Sequence, residues 1–364
     1  MKLSKITMAL EETAPLSLQE SYDNSGLLIG SYNQEINKAL ITLDVTEAVI
    51  DEAIHEKAEL IIAHHPMIFK AIKKVTGSNL TERLLVKAIK NDIAVYAVHT
   101  NLDNVSHGVN KKLAEKLGLH HVQILQAGKS ELKKLVTFCP VDYLEKVRSA
   151  MFEAGAGHIG NYSDCSFNSK GTGSFKALEG SHPFVGEQGK IHLEEEIRIE
   201  TIVADYRLSA VVRAMMNAHP YEEVAYDVYP LHNPNPLVGA GMIGILEKEE
   251  EAASFLKRVK QTIGTPYLRH NLLIQRKVKK VAICGGSGSF LIDVAYRSGA
   301  DIFITADIKY HDFFEHQGEM TIADAGHFET EQFTKDLLYD ILKQKFPTFA
   351  LQISGIDTNP VSFL

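Results

Sequence analysis

The chain has 364 residues, 45% hydrophobic and 23% charged, which is the make-up of a globular protein too long for one typical core. Its formal net charge of −8 argues against a broad electrostatic surface for nucleic acid. No apolar run is long enough to span a bilayer, so no membrane role is expected. The start, Met1-Lys2-Leu3-Ser4-Lys5-Ile6, leads straight into a helical pattern with no signal-peptide core. The three cysteines, Cys139, Cys165 and Cys284, are odd in number and in no metal spacing, which fits a reduced, cytoplasmic compartment.

Leu3 to Glu12 reads as a helix that stops before Pro15. Tyr22-Asp23-Asn24-Ser25-Gly26 is a turn cluster, followed by the apolar Leu27-Leu28-Ile29. Lys38 to Val45 is a strand, and Thr46 can cap a helix through Lys57. Glu59 to His64 is the next strand. Its run Leu60-Ile61-Ile62 suits a strand covered on both faces. It ends on His64 and His65, and Pro66 pushes His65 toward an extended conformation. Asn79 to Asn91 is helical, with Thr81 a candidate cap. Ile93 to Val98 is a strand, and His107 to Leu117 a helix ending at Gly118. Strands alternating with helices predict a parallel sheet covered by helices.

Around Gln126-Ala127-Gly128-Lys129-Ser130 the pattern changes. Leu132 to Leu231 reads as strand, helix, glycine-rich polar strands, strand, helix and strand, a compact α+β module of ferredoxin-like character. Asn233-Pro234-Asn235-Pro236 is a linker signal. The α/β alternation then resumes with a helix over Glu249 to Ile263 and a strand over Val278 to Cys284. Gly285-Gly286-Ser287-Gly288-Ser289 follows, then a strand over Asp301 to Thr305 and a helix over Ile308 to His316. Met320 to Ala325 is a strand that delivers Gly326 and His327. A helix over Phe328 to Gln344 and a strand over Thr348 to Ser354 complete the chain. The expected fold class is α/β. Residues 1–127 and 236–364 form a discontinuous large domain with mostly parallel sheets flanked by helices. Residues 128–235 form an inserted ferredoxin-like α+β domain.

In such sheets ligands bind beyond the carboxyl ends of the strands. Asp44, then His64 and His65, then His99 and Asp103 stand at three successive strand ends. Neighbouring side chains on an extended backbone point in different directions. The two imidazoles therefore serve two ions, or one is a ligand and the other structural. His327 and Glu331, at i and i+4 near a helix start, share one face at a fourth strand end. The five residues His64, His65, Asp103, His327 and Glu331 crowd a single zinc, which prefers four ligands, and suit two divalent ions better. Zinc is the first candidate, with iron, manganese or cobalt compatible. Asp44, His99, Asp307 and His311 are candidates for acid–base or supporting roles. The glycine loop after Cys284 lacks both the third glycine of a dinucleotide fingerprint and the Walker lysine. It reads as a tight strand-to-helix turn whose amides could hold a phosphate.

The motifs Tyr22-Asp23-Asn24-Ser25-Gly26-Leu27, Thr42-Leu43-Asp44-Val45-Thr46, His64-His65-Pro66, His99-Thr100-Asn101-Leu102-Asp103 and Gly326-His327-Phe328-Glu329-Thr330-Glu331 carry a family resemblance. The chain resembles the NGG-interacting-factor-like dinuclear metal-centre proteins, known in bacteria as GTP cyclohydrolase 1 type 2 homologues. Its middle segment resembles the insert of the longer bacterial members, related to the nitrogen-regulatory and copper-tolerance trimer folds, and His219-Pro220-Tyr221-Glu222 is similar to a motif of the copper-tolerance fold. Tyr22 stands where a tryptophan is usual, and Ala306 where many members have glycine. The resemblance implies that His65 and Asp103 hold one ion, His64 and His327 the other, and that Glu331 bridges. It also implies a ring-shaped homohexamer. The functions this leaves are a metal-dependent hydrolase of a nucleotide or phosphoester, a non-catalytic metal-handling or regulatory protein, and a ring around nucleic acid. The negative net charge weighs against the last.

Overall fold

The computed structural model describes residues 1–128, 131–362 and 364. The chain divides into two compact units, Met1–Gly128 with Leu237–Leu364, and Lys129–Pro236. In the first unit the strands are β1 (Gly26–Ile29), β2 (Lys38–Thr42), β3 (Leu60–Ala63), β4 (Ala94–Ala97) and β5 (Leu119–Ala127). The second unit has β6 (Glu131–Pro140), β7 (Ser166–Lys176), β8 (Ile191–Ala204) and β9 (Tyr226–Pro234). The first unit resumes with β10 (Gly239–Glu250), β11 (Arg269–His270), β12 (Val278–Ser287), β13 (Ile302–Ala306), β14 (Thr321–Asp324) and β15 (Ala350–Ile353).

The first unit holds two sheets. One has the order β1-β4-β3-β2-β15, parallel except for β1. Its central strands are buried on both faces: every residue of β3 and β4 is buried. That explains why their sequences are continuous apolar runs rather than alternating ones. The helices on its faces are amphipathic. Leu3–Thr13 buries Leu3, Ile6 and Leu10, and Leu80–Lys90 buries Leu84, Leu85 and Ala88. Thr46 caps Glu47–Glu56 by accepting from the Val49 amide at 3.2 Å. The cap of Leu80–Lys90 is Asn79, not Thr81, which lies inside the helix. Asn79 wins because the Glu82 carboxylate reaches back to its side chain and to Thr76 and Ser78, closing the turn before the helix.

The other sheet has the order β11-β14-β13-β12-β10-β5. β12, β13 and β14 are parallel, whereas β10 and then β5 join antiparallel on one side and β11 on the other. The long helix expected over Phe328 to Gln344 is two helices, His327–Glu331 and Thr334–Lys345. The helix expected over Ile308 to His316 is a short 3₁₀ turn, Tyr310–Phe314.

The second unit runs strand, helix, strand, strand, helix, strand, with Leu144–Glu153 and Asp205–Ala218 as its helices. Its four-stranded sheet is antiparallel in the order β7-β8-β6-β9, the ferredoxin-like arrangement. The helices cover one face, burying Leu135, Cys139, Ile197 and Ile199 against Val147, Met151, Val211 and Met215. Among the described residues no helix is long and apolar enough to cross a membrane.

Candidate metal centre

Register brings the candidate residues together. Thr42 pairs with Ala63 and Ala63 with Ala97, so β2, β3 and β4 end level. Asp44, His65 and His99 then each stand two residues beyond their strand, on one rim. Asp103 closes the short helix Thr100–Asp103 that follows. From the other sheet, β14 runs into Gly326 and the helix His327–Glu331, which places His327 and Glu331 on one helical face.

Three imidazoles are held the same way. His64 Nδ1 is 2.8 Å from the Val98 carbonyl, His65 Nδ1 2.7 Å from Asp44 Oδ1, and His327 Nδ1 2.7 Å from Asp307 Oδ2. An acceptor on Nδ1 makes that nitrogen an N–H donor and turns Nε2 toward the centre, the arrangement typical of metal-ligating histidines. All three Nε2 atoms converge on Glu331 Oε2, at 3.9 Å from His64, 3.0 Å from His65 and 3.1 Å from His327. Asp103 Oδ1 lies 3.7 Å from His64 Nε2. The ligand atoms of His64, Asp103 and Glu331 lie within 4.8 Å of one another, and so do those of His65, His327 and Glu331. This grouping is not the one the resemblance implies. Asp103 stands with His64 and His327 with His65, because the two adjacent imidazoles leave the end of β3 in different directions, one toward β4 and the other toward the second sheet.

The donor set fits divalent metal on evidence from its own atoms. His64 is fully buried, and its Nε2 has no hydrogen-bond partner. Such an orphaned polar atom is costly unless a ligand satisfies it. Burial drives the His64 imidazole down to about 4, against the pull of Glu331, so it stays neutral. Burial also opposes charge on His65 and His327, yet there the carboxylates win. Asp44 and Glu331 raise His65 to about 10, and Glu331 and then Asp307 raise His327 to about 9. Burial would push the Glu331 carboxyl up, but the three histidines hold it well below the usual carboxylate range. Burial, and then the charge of Glu331, pushes Asp103 well above that range. A buried, ionised Glu331 beside the lone-pair nitrogen of His64, with two further imidazoles whose Nε2 protons a bound cation would replace, is a site that asks for cations.

The glycine loop serves this centre. Gly286 has φ +59, and a Cβ there would collide with Glu331 Oε1. Glycine is needed on both counts: the left-handed backbone and the close approach of the carboxylate. The amides of Gly285 and Gly286 donate to Asn110 Oδ1 and Thr330 Oγ1. These two amides are therefore spent inside the protein and are not available to hold a phosphate.

Of the supporting candidates, Asp44 and Asp307 are the Nδ1 partners described above. His99 Nδ1 is 2.8 Å from Asp23 Oδ1, and its ring lies 5.2 Å from His64 and 5.3 Å from His65. His311 is exposed on the 3₁₀ turn beside Tyr310 and Phe314, outside the cavity of the centre, because that segment does not continue as a helix. Two residues were given no role at the site by the sequence. Asp23 reads as a turn residue within a family motif, yet its side chain is fully buried and also accepts from Thr100. Thr358, near the end of the chain, donates to Asp44 Oδ2 at 2.8 Å. The centre opens into a cavity of about 700 Å³ lined by Tyr22, Phe69, His99, Asn110, Cys284 and Phe290.

Residues 1–360 match the model of the Duf34/NIF3 (NGG1p interacting factor 3) family. A Halalkalibacterium halodurans protein named GTP cyclohydrolase 1 type 2 homolog is 43% identical over 366 residues, 99% of this chain and 98% of its own. The Bacillus subtilis protein of the same name is 41% identical over 368 residues, again 99% and 98%. The crystal structure of a Bacillus cereus protein related to NIF3 matches with a TM-score of 0.88 at 41% identity, covering 100% of this chain and 99% of that one.

Proposed function

The chain belongs to the Duf34/NIF3 family, and from that premise we propose that it holds two divalent ions and hydrolyses a phosphate-bearing small molecule, a nucleotide first among them. The observation that carries the reading is the buried, unpartnered Nε2 of His64 facing Asp103 and Glu331. His64, Asp103 and Glu331 would hold one ion, and His65, His327 and Glu331 the other. Zinc is the first candidate, and iron, manganese or cobalt suit the same imidazole–carboxylate set. When bound, the ions polarise a carbonyl or phosphoryl oxygen of the substrate.

The protein's own residues supply the rest. Asp44, Asp307 and the Val98 carbonyl fix the tautomers of the three histidines. His99, oriented by Asp23, offers its remaining nitrogen Nε2 for proton transfer in the same cavity. Tyr22, Phe69 and Phe290 are more than half exposed and line that cavity. Their faces suit a planar ring, which agrees with the names of the relatives. The reading includes a ring-shaped homohexamer, as the family resemblance implies. Sedimentation gives its mass, and a monomer at working concentration would remove that part.

The test of the activity is a metal-replete screen against nucleotides and phosphoesters. Turnover should vanish with chelator, return with added metal and fall in His65→Ala and Glu331→Ala. Turnover that survives His65→Ala belongs to a contaminant. No turnover across the panel, with metal tightly bound, leaves a metal-handling protein.

A further inference from the structure

The second unit carries a cavity of its own, about 970 Å³, lined by none of the residues so far assigned a role. It lies on the sheet face that the helices leave open. Ile197 and Ile199 of β8 point into the helix-covered core. By strand alternation Glu196 points the other way. So do Gly173 and Phe175, which sit on β7 beside it: Glu196 pairs with Gly171, and the next same-face positions along β7 are 173 and 175. Phe175 and Phe184 flank Tyr221, with ring centroids 6.3 and 6.2 Å from it.

The motif His219-Pro220-Tyr221-Glu222 builds this wall. His219 is buried, and both its nitrogens are spent. Nε2 meets the Phe138 carbonyl at 2.8 Å, and Nδ1 accepts from the Tyr221 amide at 3.1 Å. His219 is therefore a strut, and what it holds in place is Tyr221. The Tyr221 hydroxyl donates to Glu196 Oε1 at 2.9 Å. Gly173 leaves room on the neighbouring strand for the same carboxylate: a Cβ there would meet Glu196 Oε2. The carboxylate is thus held by Tyr221 beside an aromatic wall. The lining adds Glu179, Glu222 and Glu223 against a single lysine, Lys176.

Aromatic faces carry the negative end of a quadrupole, and carboxylates carry full charge, so both attract the same ligand. We propose that this cavity binds a small organic cation of the ammonium class. An anion would meet four carboxylates, and an uncharged ligand would forgo the field that the carboxylates and rings create.

The test uses the full chain loaded with metal and follows choline by ligand-observed NMR. The comparison compound is its uncharged isostere, in which carbon replaces the quaternary nitrogen. Choline should bind at least about tenfold more tightly than the isostere. Glu196→Gln keeps an acceptor for Tyr221 and removes the charge. Phe184→Leu alters a half-exposed ring and removes one aromatic face. Each should weaken choline about tenfold and leave the metal content unchanged. Should Glu196→Gln fail to fold, Phe184→Leu decides. Equal binding of choline and the isostere, no binding of choline, or full affinity in a folded Phe184→Leu would overturn the proposal.

Discussion

Glu331 Oε2 lies 3.0 Å from His65 Nε2, although the two residues are 266 apart in the chain. One oxygen of one carboxylate is thereby shared by imidazoles from both sheets of the first unit. Glu331→Gln should therefore weaken both ions. Asp103→Ala should release mainly the ion at His64, and His327→Ala mainly the ion at His65. Elemental analysis of each variant after metal loading reads this directly. A parent protein that never exceeds one ion per chain would refute the two-ion reading.

The carboxylates behind the histidines are expected to matter nearly as much as the ligands. Asp44→Ala and Asp307→Ala each free a ring nitrogen and with it the tautomer. Metal affinity should fall about 10–100-fold in each, measured by competition with a chelator dye. His311→Ala, at an exposed ring outside the cavity, should leave affinity at the parent value.

Gly286→Ala tests the glycine loop. The left-handed backbone alone costs about 1–2 kcal/mol for a residue with a Cβ. The methyl group also displaces the Glu331 carboxylate. The variant should fold with a lower melting temperature and lose most of its metal. A variant with parental metal content would show that Glu331 has room to shift.

The second unit should be removable. Ala127 pairs with Gly239, and the Gly128 amide donates to the Val238 carbonyl at 2.8 Å. The segment 129–236 thus enters and leaves at the tip of a β5–β10 hairpin. Replacing it with an Asn-Gly turn should leave a folded protein with the full metal complement, because all five candidate ligands lie outside it. A folded deletion variant that binds no metal would show that the segment helps to build the centre.

Glu82 provides a pH test at a carboxylate outside the candidate ligand set. Hydrogen bonds from Thr76, then Ser78, hold its carboxyl down to about 2, from an ordinary value of 4.5. The folded chain therefore binds that proton less readily than the unfolded one. The stabilisation is complete above about pH 4.5 and is lost as the pH falls toward 2. Glu82→Gln should melt below the parent at pH 7, and the gap should close across that window. A gap independent of pH would assign the effect to packing.

The part of the fold that could be read from sequence is the part buried on both faces. Leu60-Ile61-Ile62 and its neighbours on β2 and β4 announce central parallel strands, and polar residues mark where they end. The antiparallel end of the second sheet is harder to read. β5 exposes His120, His121 and Gln123, and β10 is interrupted by Gly239, Gly241 and Gly244, so neither shows the apolar run of a strand. For the site, convergence on a rim follows from topology, whereas the pairing of ligand atoms does not. Whether Asp103 meets His64 or His65 depends on side-chain direction at the end of β3. Asp23 and Thr358 reach their partners across 76 and 314 residues, distances that no local pattern encodes.

The separation of His65 and Glu331 also has a consequence in time. During synthesis the paired histidines emerge with Asp103 soon after them, while His327 and Glu331 are still untranslated. A nascent or truncated chain can offer a cation only His64, His65 and Asp103, without the carboxylate on which all three imidazoles converge. Closing so long a loop is slow compared with local folding, and the complete cluster forms only once the second sheet is in place. A filled centre would then certify that the polypeptide has been made past residue 331 and folded, and a cell that withholds metal until that point would load only finished molecules.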